Sequence, residues 1–351
     1  MTLKPKFKIT DKILENISQI TAGREIIENS RLIPKWELKL QKEARVHNAH
    51  SSTSIEGNRL SLEQVQALSE KKQVTASAKD KQEVVNYLQA LNLIPEFAKN
   101  KINTKLFLKI HKIITAGTLK NKNDSGAFRD RQVFVGRRVF DGTQIKNVVE
   151  YMPPDTKDVP RLVKEFLDWL ESKSTLKINP VLLAGIAHYE IARIHPFIDG
   201  NGRTARLLAT LILYKRGFDH HRFFALDDYY DEERSAYYTA LKTVDKNKGD
   251  LTGWLEYFTE GVLNSVNKVK EIVNKLGLSP KFSPKEIIEL TQRQIKILEA
   301  LRVKEKISNR DLRNLFKISR QAMLKEITKL IKAGIVILIG KGRNAYYKIS
   351  E

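Results

Sequence analysis

Apolar residues recur at helical spacing along most of the chain. Between Lys81 and Ala98 the positions Val84, Val85, Leu88, Leu91 and Leu93 mark one face of a helix. Asp158–Leu170 repeats the pattern with Val159, Leu162, Val163, Phe166 and Leu170. Pro180 suits a first helical turn, with Asn179 as N-cap, and that helix runs to about Ile194. Thr204 to Lys215 predicts a further, strongly apolar helix. Gly126–Phe140 departs from this rhythm. Gln132, Val133, Phe134 and Val135 are strand-prone and bracketed by Gly126 and Gly136, which predicts a short hairpin or flap inserted in a helical domain.

Two prolines in Leu278-Ser279-Pro280-Lys281-Phe282-Ser283-Pro284 break a long helix and mark a boundary. Beyond it, helices are expected at about Thr291–Leu301, at Ser308–Leu315 and, after the turn Phe316-Lys317-Ile318-Ser319, to about Ala333. Ile335–Ile339, a Gly340-Lys341-Gly342-Arg343-Asn344 tip and Ala345–Ile349 read as a β-hairpin. Three helices and a basic hairpin describe a winged helix-turn-helix. The expected organisation is therefore mainly α: an N-terminal helical region over 1–80, a catalytic domain over 81–278, and a winged-helix domain over 281–351.

Charge sharpens this picture. The chain of 351 residues carries 62 Lys and Arg against 41 Asp and Glu, a net +21, which favours acidic partners such as nucleotides or nucleic acid. Residues 281–351 hold 17 basic and 7 acidic residues, so that segment alone is +10. Cysteine is absent, which removes disulfides, thiolate metal sites and a cysteine nucleophile. No apolar run reaches the roughly 18 residues of a membrane span, and no signal-peptide core follows the N-terminus. A cytoplasmic protein with no membrane contact is the expectation.

One loop concentrates chemistry. His195-Pro196-Phe197-Ile198-Asp199-Gly200-Asn201-Gly202-Arg203-Thr204-Ala205-Arg206 joins two apolar helices. Gly200 and Gly202 allow positive φ and close approach to a ligand. Free N–H groups at the start of the second helix make an anion site. Arg203 and Arg206 lie three apart on one helix face, which suits a polyphosphate. Asp199 would repel bare phosphate, so it calls for a bridging divalent cation such as Mg²⁺. His195, with a pKa near neutrality, can take a proton from an attacking hydroxyl.

The series His195-x-Phe197-x-Asp199-Gly200-Asn201-Gly202-Arg203-x-x-Arg206 resembles the signature of the Fic (Fido) family at every defined position. The likeness extends to Ala187-His188, Phe128-Arg129, Gln132–Gly136 and Met152-Pro153-Pro154, and covers residues from about 50 to 260. It implies a Fic-type helical bundle with a small hairpin flap, and transfer of AMP from ATP to a Ser, Thr or Tyr hydroxyl of a target protein, self-modification included. By resemblance, His195 is the base and Asp199 holds Mg²⁺. Gly200, Asn201, Gly202 and the helix start through Thr204 and Ala205 line the nucleotide, and Arg203 and Arg206 bind its distal phosphates. Phe197 anchors the loop in the core. Tyr237 and Tyr238 flank the adenine, and Val133, Val135 and Gly136 of the flap position the target by main-chain pairing. Asp245 stands where relatives often carry Asn.

Ser51-Ser52-Thr53-Ser54-Ile55-Glu56-Gly57-Asn58 resembles the family's inhibitory motif. Ser52 and Glu56 are four apart on one helical face, and Gly57 and Asn58 suit a helix end. The resemblance places this helix, about 50–58, against the active site. There Glu56 pairs with Arg206 in the space of the γ-phosphate; in some relatives the same carboxylate serves removal of AMP. Other readings rest on other residues. Arg310, Arg313, Arg320, Lys325, Lys329, Lys341 and Arg343 suit a DNA-binding regulator, and the same tail suits a protein-interaction or homodimer module. The loop itself does not choose the base of the nucleotide, leaving UTP or a phosphocholine carrier as alternative donors. A silent scaffold is disfavoured by an intact His195, Asn201, Arg203 and Arg206.

Overall fold

The structure is a computed structural model. It describes residues 3–277 apart from 31, 33, 141–143, 220 and 247, and residues 290–349 apart from 305, 317–319, 333–334 and 341–344. The chain divides into two compact units, residues 1–26 with 43–269 and residues 27–42 with 270–351.

In chain order the first stretch runs α1 (Asp11–Asn29), α2 (Pro34–Ile55), α3 (Leu62–Ser69), α4 (Ala78–Asn92), α5 (Ile94–Ala98) and α6 (Thr104–Ile114). It continues with β1 (Val135–Phe140), β2 (Ile145–Tyr151), α7 (Val159–Leu170), α8 (Pro180–Ile194) and α9 (Asn201–Lys215). It closes with α10 (Asp227–Glu232), α11 (Arg234–Lys246) and α12 (Thr252–Gly277). The protein is mainly helical, as the apolar spacing requires. The helix expected over 81–98 is two: Leu93 caps α4, and Pro95, which has no N–H to give, sits in the first turn of α5.

At the centre of the first unit lies α8, apolar on nearly every face and buried accordingly. Asn179 caps it, its side chain accepting from the Val181 N–H at 2.9 Å. Gly185 leaves room for α12: a Cβ there would lie 2.9 Å from Leu255 and 3.0 Å from Phe258. Trp254 Nε1 donates to the Gly185 carbonyl at 2.8 Å across the same contact. The N-terminus joins this core. The Leu251 N–H donates to Lys6 O and the Lys8 N–H to Thr252 Oγ1, while Asn16 Nδ2 reaches Thr259 Oγ1. Residues 3–26 and 43–80 thus share a compact unit with the helices after residue 81.

The hairpin begins later than its strand-prone residues suggest. β1 starts at Val135 and pairs antiparallel with β2, with a register shift between Val135 and Gly136. Glycine is required there, because a Cβ on Gly136 would lie 2.1 Å from Val148 O. Gln132, Val133 and Phe134 stand outside the strand, and the Gln132 amide donates to Pro153 O at 3.0 Å.

In the second unit α13 (Gln292–Lys304), β3 (Ile307–Ser308), α14 (Asn309–Phe316), α15 (Arg320–Lys332), β4 (Val336–Ile339) and β5 (Tyr346–Ile349) follow the expected order with one added strand, β3. The strands pair antiparallel in the order β3-β5-β4. Leu298, Leu301, Ile307, Leu312, Ile327 and Tyr347 are among the buried residues of their core. Ser308 and Asp311 form a reciprocal cap at the start of α14. The boundary near 278–284, most of the turn 316–319, the hairpin tip with Lys341 and Arg343, and the side chains of Arg313 and Arg320 lie outside the described residues. No described helix is long and apolar enough to cross a membrane.

Filling the α8–α12 contact should show in stability. Gly185→Val is expected to destabilise the protein by about 1–3 kcal/mol, read as a lower midpoint in urea. An unchanged midpoint would mean that the two helices are free to separate there.

Candidate active site

The loop between α8 and α9 is held by its backbone. His195 takes a left-handed conformation with φ 50°, unusual for a residue with a side chain, and its N–H donates to Ile191 O as α8 ends. Arg129 Nε donates to His195 O and the Arg129 N–H donates to Pro196 O, both at 2.9 Å. Asn201 closes a ring with Phe197: its Oδ1 accepts from the Phe197 N–H and its Nδ2 donates to Phe197 O, each at 2.9 Å. His111 Nε2 lies 2.9 Å from Asp199 O. Its other nitrogen accepts from the Gly126 N–H, so the imidazole proton sits on Nε2. Burial pushes the His111 pKa down to about 4, keeping the ring neutral. That ring stacks on Phe197 at 3.6 Å, and Phe197 is completely buried.

At Gly200, with φ 83°, the chain turns into α9. The first bond made within α9 is Thr204 N–H to Gly200 O, so the amides of Asn201, Gly202 and Arg203 face outward from the helix start. Ala205 and Thr204 are fully buried behind them. Asp199 Oδ1 accepts from the Gly200 N–H at 2.5 Å and from Arg203 at 3.2 Å, while the carboxylate stays 45% exposed. Arg203 is buried between Asp199 and Glu83, whose Oε1 lies 3.3 Å from Nη1.

Arg206 is the most enclosed charge of the site. Its Nε donates to Ser52 Oγ, and its Nη2 donates to Ser52 O and to Glu56 Oε1, each at 2.8 Å. Burial is the largest influence and works against its charge, but Glu56, Tyr237, Asp227 and Tyr87 together raise its pKa. The same carboxylate lies over the start of α9: a Cβ on Gly202 would meet Glu56 Oε1 at 2.1 Å. A side-chain carboxylate therefore lies beside the start of α9, paired with a buried guanidinium.

The C-terminal half of α2 delivers that carboxylate through a chain of polar contacts. Asn48 donates to Phe224 O, Ser51 Oγ to Asp228 Oδ1 at 2.5 Å, and His47 Nδ1 lies 2.8 Å from Asp228 Oδ2. The hydrogen bond that His47 donates to Asp228 raises the His47 pKa. Past the turn, where Gly57 has φ 92°, Asn58 Nδ2 donates to Glu83 Oε2 at 3.1 Å. Glu83 in turn pairs with Arg203, so the segment reaches both arginines. Asp227, pushed up to about 6 by burial, accepts from Tyr87 at the base of this network.

The imidazole of His195 is oriented by its own helix. Nδ1 lies 3.3 Å from Ala192 O, which places the proton there and leaves Nε2 as the acceptor. Burial is the main cause of its lowered pKa, with the Arg129 charge acting in the same direction.

The loop, Arg203, Arg206, Glu56 and Ser52 are thus one cluster. Two residues take positions other than those first expected of them. The Asn201 side chain is 3% exposed and occupied with Phe197, so its amide group holds the loop and only its N–H faces the anion position. Tyr237 is 2% exposed with its hydroxyl 2.8 Å from His188 Nε2, inside the core, whereas Tyr238 is 38% exposed. Val135 and Gly136 lie in the flap and Val133 just before it. His111, Glu83 and Asp227 were not singled out. His111 left a trace in the sequence, a titratable residue on the apolar face formed by Phe107, Ile110 and Ile114.

Residues 101–213 match the model of the Fic/DOC family. The chain is 31% identical over 225 residues to "Protein adenylyltransferase fic-1" of Caenorhabditis elegans, covering 62% of this chain and 40% of that protein. It is 30% identical over 226 residues to "Protein adenylyltransferase Fic" of Drosophila willistoni, covering 63% and 41%. It thus spans about two fifths of the length of these curated relatives. The solved structure "Fic-1 (aa134 - 508) from C. elegans" matches with a TM-score of 0.61 at 26% identity, over 75% of this chain and 74% of that one. A Fic family protein from Desulfovibrio desulfuricans G20 shares the fold over 99% of this chain and 98% of its own, with a TM-score of 0.65 at 24% identity.

His111 makes the loop pH-sensitive in a definite direction. Its pKa in the folded chain is about 4, against 6.5 for an ordinary histidine. The stability it confers is present above the unfolded value and lost as pH falls through the folded one. His111→Gln should lower the thermal midpoint at neutral pH but flatten its fall between pH 6.5 and 4. An equally steep fall in the variant would remove His111 as its cause.

Proposed function

Starting from the Fic/DOC domain carried by residues 101–213, we propose that the protein is a nucleotidyltransferase that moves AMP from ATP to a hydroxyl side chain of a target protein, and that Glu56 holds it off at rest. The observation that carries the reading is the Glu56 carboxylate, bonded to Arg206 and seated over Gly202 at the start of α9. A buried guanidinium that holds a carboxylate beside a helix start suits phosphate oxygens as well.

In this reading the α-phosphate lies over the amides of Asn201, Gly202 and Arg203, and the distal phosphates reach Arg203 and Arg206. His195 Nε2 takes the proton of the acceptor hydroxyl as its oxygen attacks the α-phosphorus. The bond to the β-phosphate oxygen breaks and pyrophosphate leaves. Asp199 fits a magnesium ion that arrives with the nucleotide. Its carboxylate is half exposed at the edge of the anion position, and Mg²⁺ commonly takes one or two carboxylates, with phosphate and water oxygens completing its shell. Bound there, the ion would supply neutralisation of phosphate charge. Glu56, in the space claimed by the distal phosphates, must leave before ATP can lie productively; Ser52 holds the same guanidinium beside it. In the same reading, Glu56 displaced from Arg206 orients a water that removes AMP from a modified target.

Intact mass spectrometry after incubation with ATP and Mg²⁺ tests the reading. Glu56→Gly is expected to raise self-labelling by one AMP roughly tenfold or more, as a released two-state brake should. Adding His195→Ala should lower labelling about 100-fold or more, the usual weight of a general base. Equal labelling of wild type and Glu56→Gly would refute the brake, and incorporation of UMP in place of AMP would refute the donor.

A second reading concerns residues 281–351. Arg310 on α14 and Lys325 and Lys329 on α15 are exposed, in a segment of net charge +10. They suit the phosphate backbone of DNA. The full chain should shift duplex DNA on a gel, with affinity falling steeply between 50 and 200 mM salt, as expected for roughly 6–10 phosphate contacts. A concentration-dependent dimer with no shift would instead assign the segment to self-association.

A further inference from the structure

Arg129 stands apart from every group used so far. It lies in the chain between α6 and β1 and is 3% exposed, yet the acceptors of its guanidinium among the described residues are all neutral. Nε donates to His195 O at 2.9 Å. Nη1 donates to Thr156 Oγ1 at 2.6 Å and to Gln132 Oε1 at 3.1 Å, and Nη2 donates to Pro154 O. Burying a guanidinium among uncharged partners is unfavourable unless its donors are met. Here the direction of the donors is informative. One edge of the plane faces the main chain of the base; the other faces the chain entering the flap, at Gln132, and the chain leaving it, at Pro154 and Thr156. The backbone adds a third tie, Arg129 N–H to Pro196 O at 2.9 Å.

These contacts meet the most unusual backbone of the loop. His195 has φ 50°, and such a conformation persists in a residue with a side chain only where its surroundings over-determine it. Because His195 Nδ1 is oriented by Ala192 O on α8, the direction of Nε2 depends on where the main chain of residue 195 stands. A lysine cannot replace the arrangement: its ammonium is a point donor and cannot span both sides of a fixed fork.

We propose that Arg129 is a positioning residue for the transfer reaction, locking the left-handed turn at His195 and joining it to both ends of the flap, so that the base and the strand edge that aligns the acceptor hydroxyl are held as one piece. The inference rests on the AMP-transfer reading for its effect on rate, and on geometry alone for its effect on His195.

The test uses the full-length chain in the Glu56→Gly background. Arg129→Lys is expected to lower kcat for AMP transfer about 100-fold while KM for ATP stays within about twofold, the pattern of an interaction that serves the reacting geometry and not nucleotide binding. Independently of any activity, ¹H–¹⁵N NMR of the imidazoles should show His195 of Arg129→Lys losing its fixed Nδ1–H tautomer and titrating closer to an ordinary histidine. Wild-type kcat with an unmoved His195 titration would overturn the proposal, as would a rise in KM for ATP at constant kcat. If Arg129→Lys does not fold, Gln132→Leu with Thr156→Val decides: it removes two flap-side acceptors and leaves the guanidinium in place. A fall in kcat of about tenfold with a shifted His195 titration would support the tie, since one displaced end loosens the geometry only in part; wild-type values for both would sink it. If Glu56→Gly transfers no AMP at all, the functional reading fails, and the His195 titration alone decides the positioning role.

Discussion

The site depends on one buried guanidinium with a carboxylate held against it. Arg206 is 1% exposed and lies in the first turn and a half of α9, between the core and the anion position. Left alone, such a charge would be strongly destabilising, because neither water nor a pKa shift can relieve an arginine. Glu56 meets this demand in the resting chain, with Ser52 supplying two further acceptors. The buried charge is therefore already met by a carboxylate, and phosphate oxygens have the chemistry to meet it in the same way.

The same demand explains why α2 is so polar where it meets the core. Its side chains at 47, 48, 51 and 52 all face Asp227, Asp228, Phe224 or Arg206. An apolar helix end would stick as well but would slide; paired polar groups fix rotation and register, which a carboxylate aimed at one nitrogen requires. Asn58 and Glu83 extend the arrangement to Arg203, so the same segment reaches both arginines.

Much of this was legible in the sequence, for identifiable reasons. Pro180 after Asn179 marks a helix start by chemistry that acts within three residues, and the structure places α8 there. The glycines and arginines of the loop act within one turn, so their grouping survives folding unchanged. Ser52 and Glu56, four apart on a helix, had to share a face. What stayed hidden depends on distance along the chain. Nothing near Asn201 shows that its amide is spent on Phe197, and nothing near Tyr237 shows His188 waiting beneath it. His111 and Arg129 reach the loop from 88 and 66 residues away. The hairpin was displaced for a related reason: Gln132–Phe134 have the composition of a strand, but Gln132 bonds to Pro153, and the pairing begins only at Val135.

Gly202 carries one consequence of a different kind. The space its missing Cβ would fill is already taken by Glu56 Oε1. Positions 202 and 56 are therefore not free to vary separately. Any side chain at 202 would push the end of Glu56 away from its place beside Arg206, and a chain that had lost the carboxylate would gain room beside the helix start. Among divergent copies of this protein, the occupants of these two positions should change together, although 146 residues separate them in the chain.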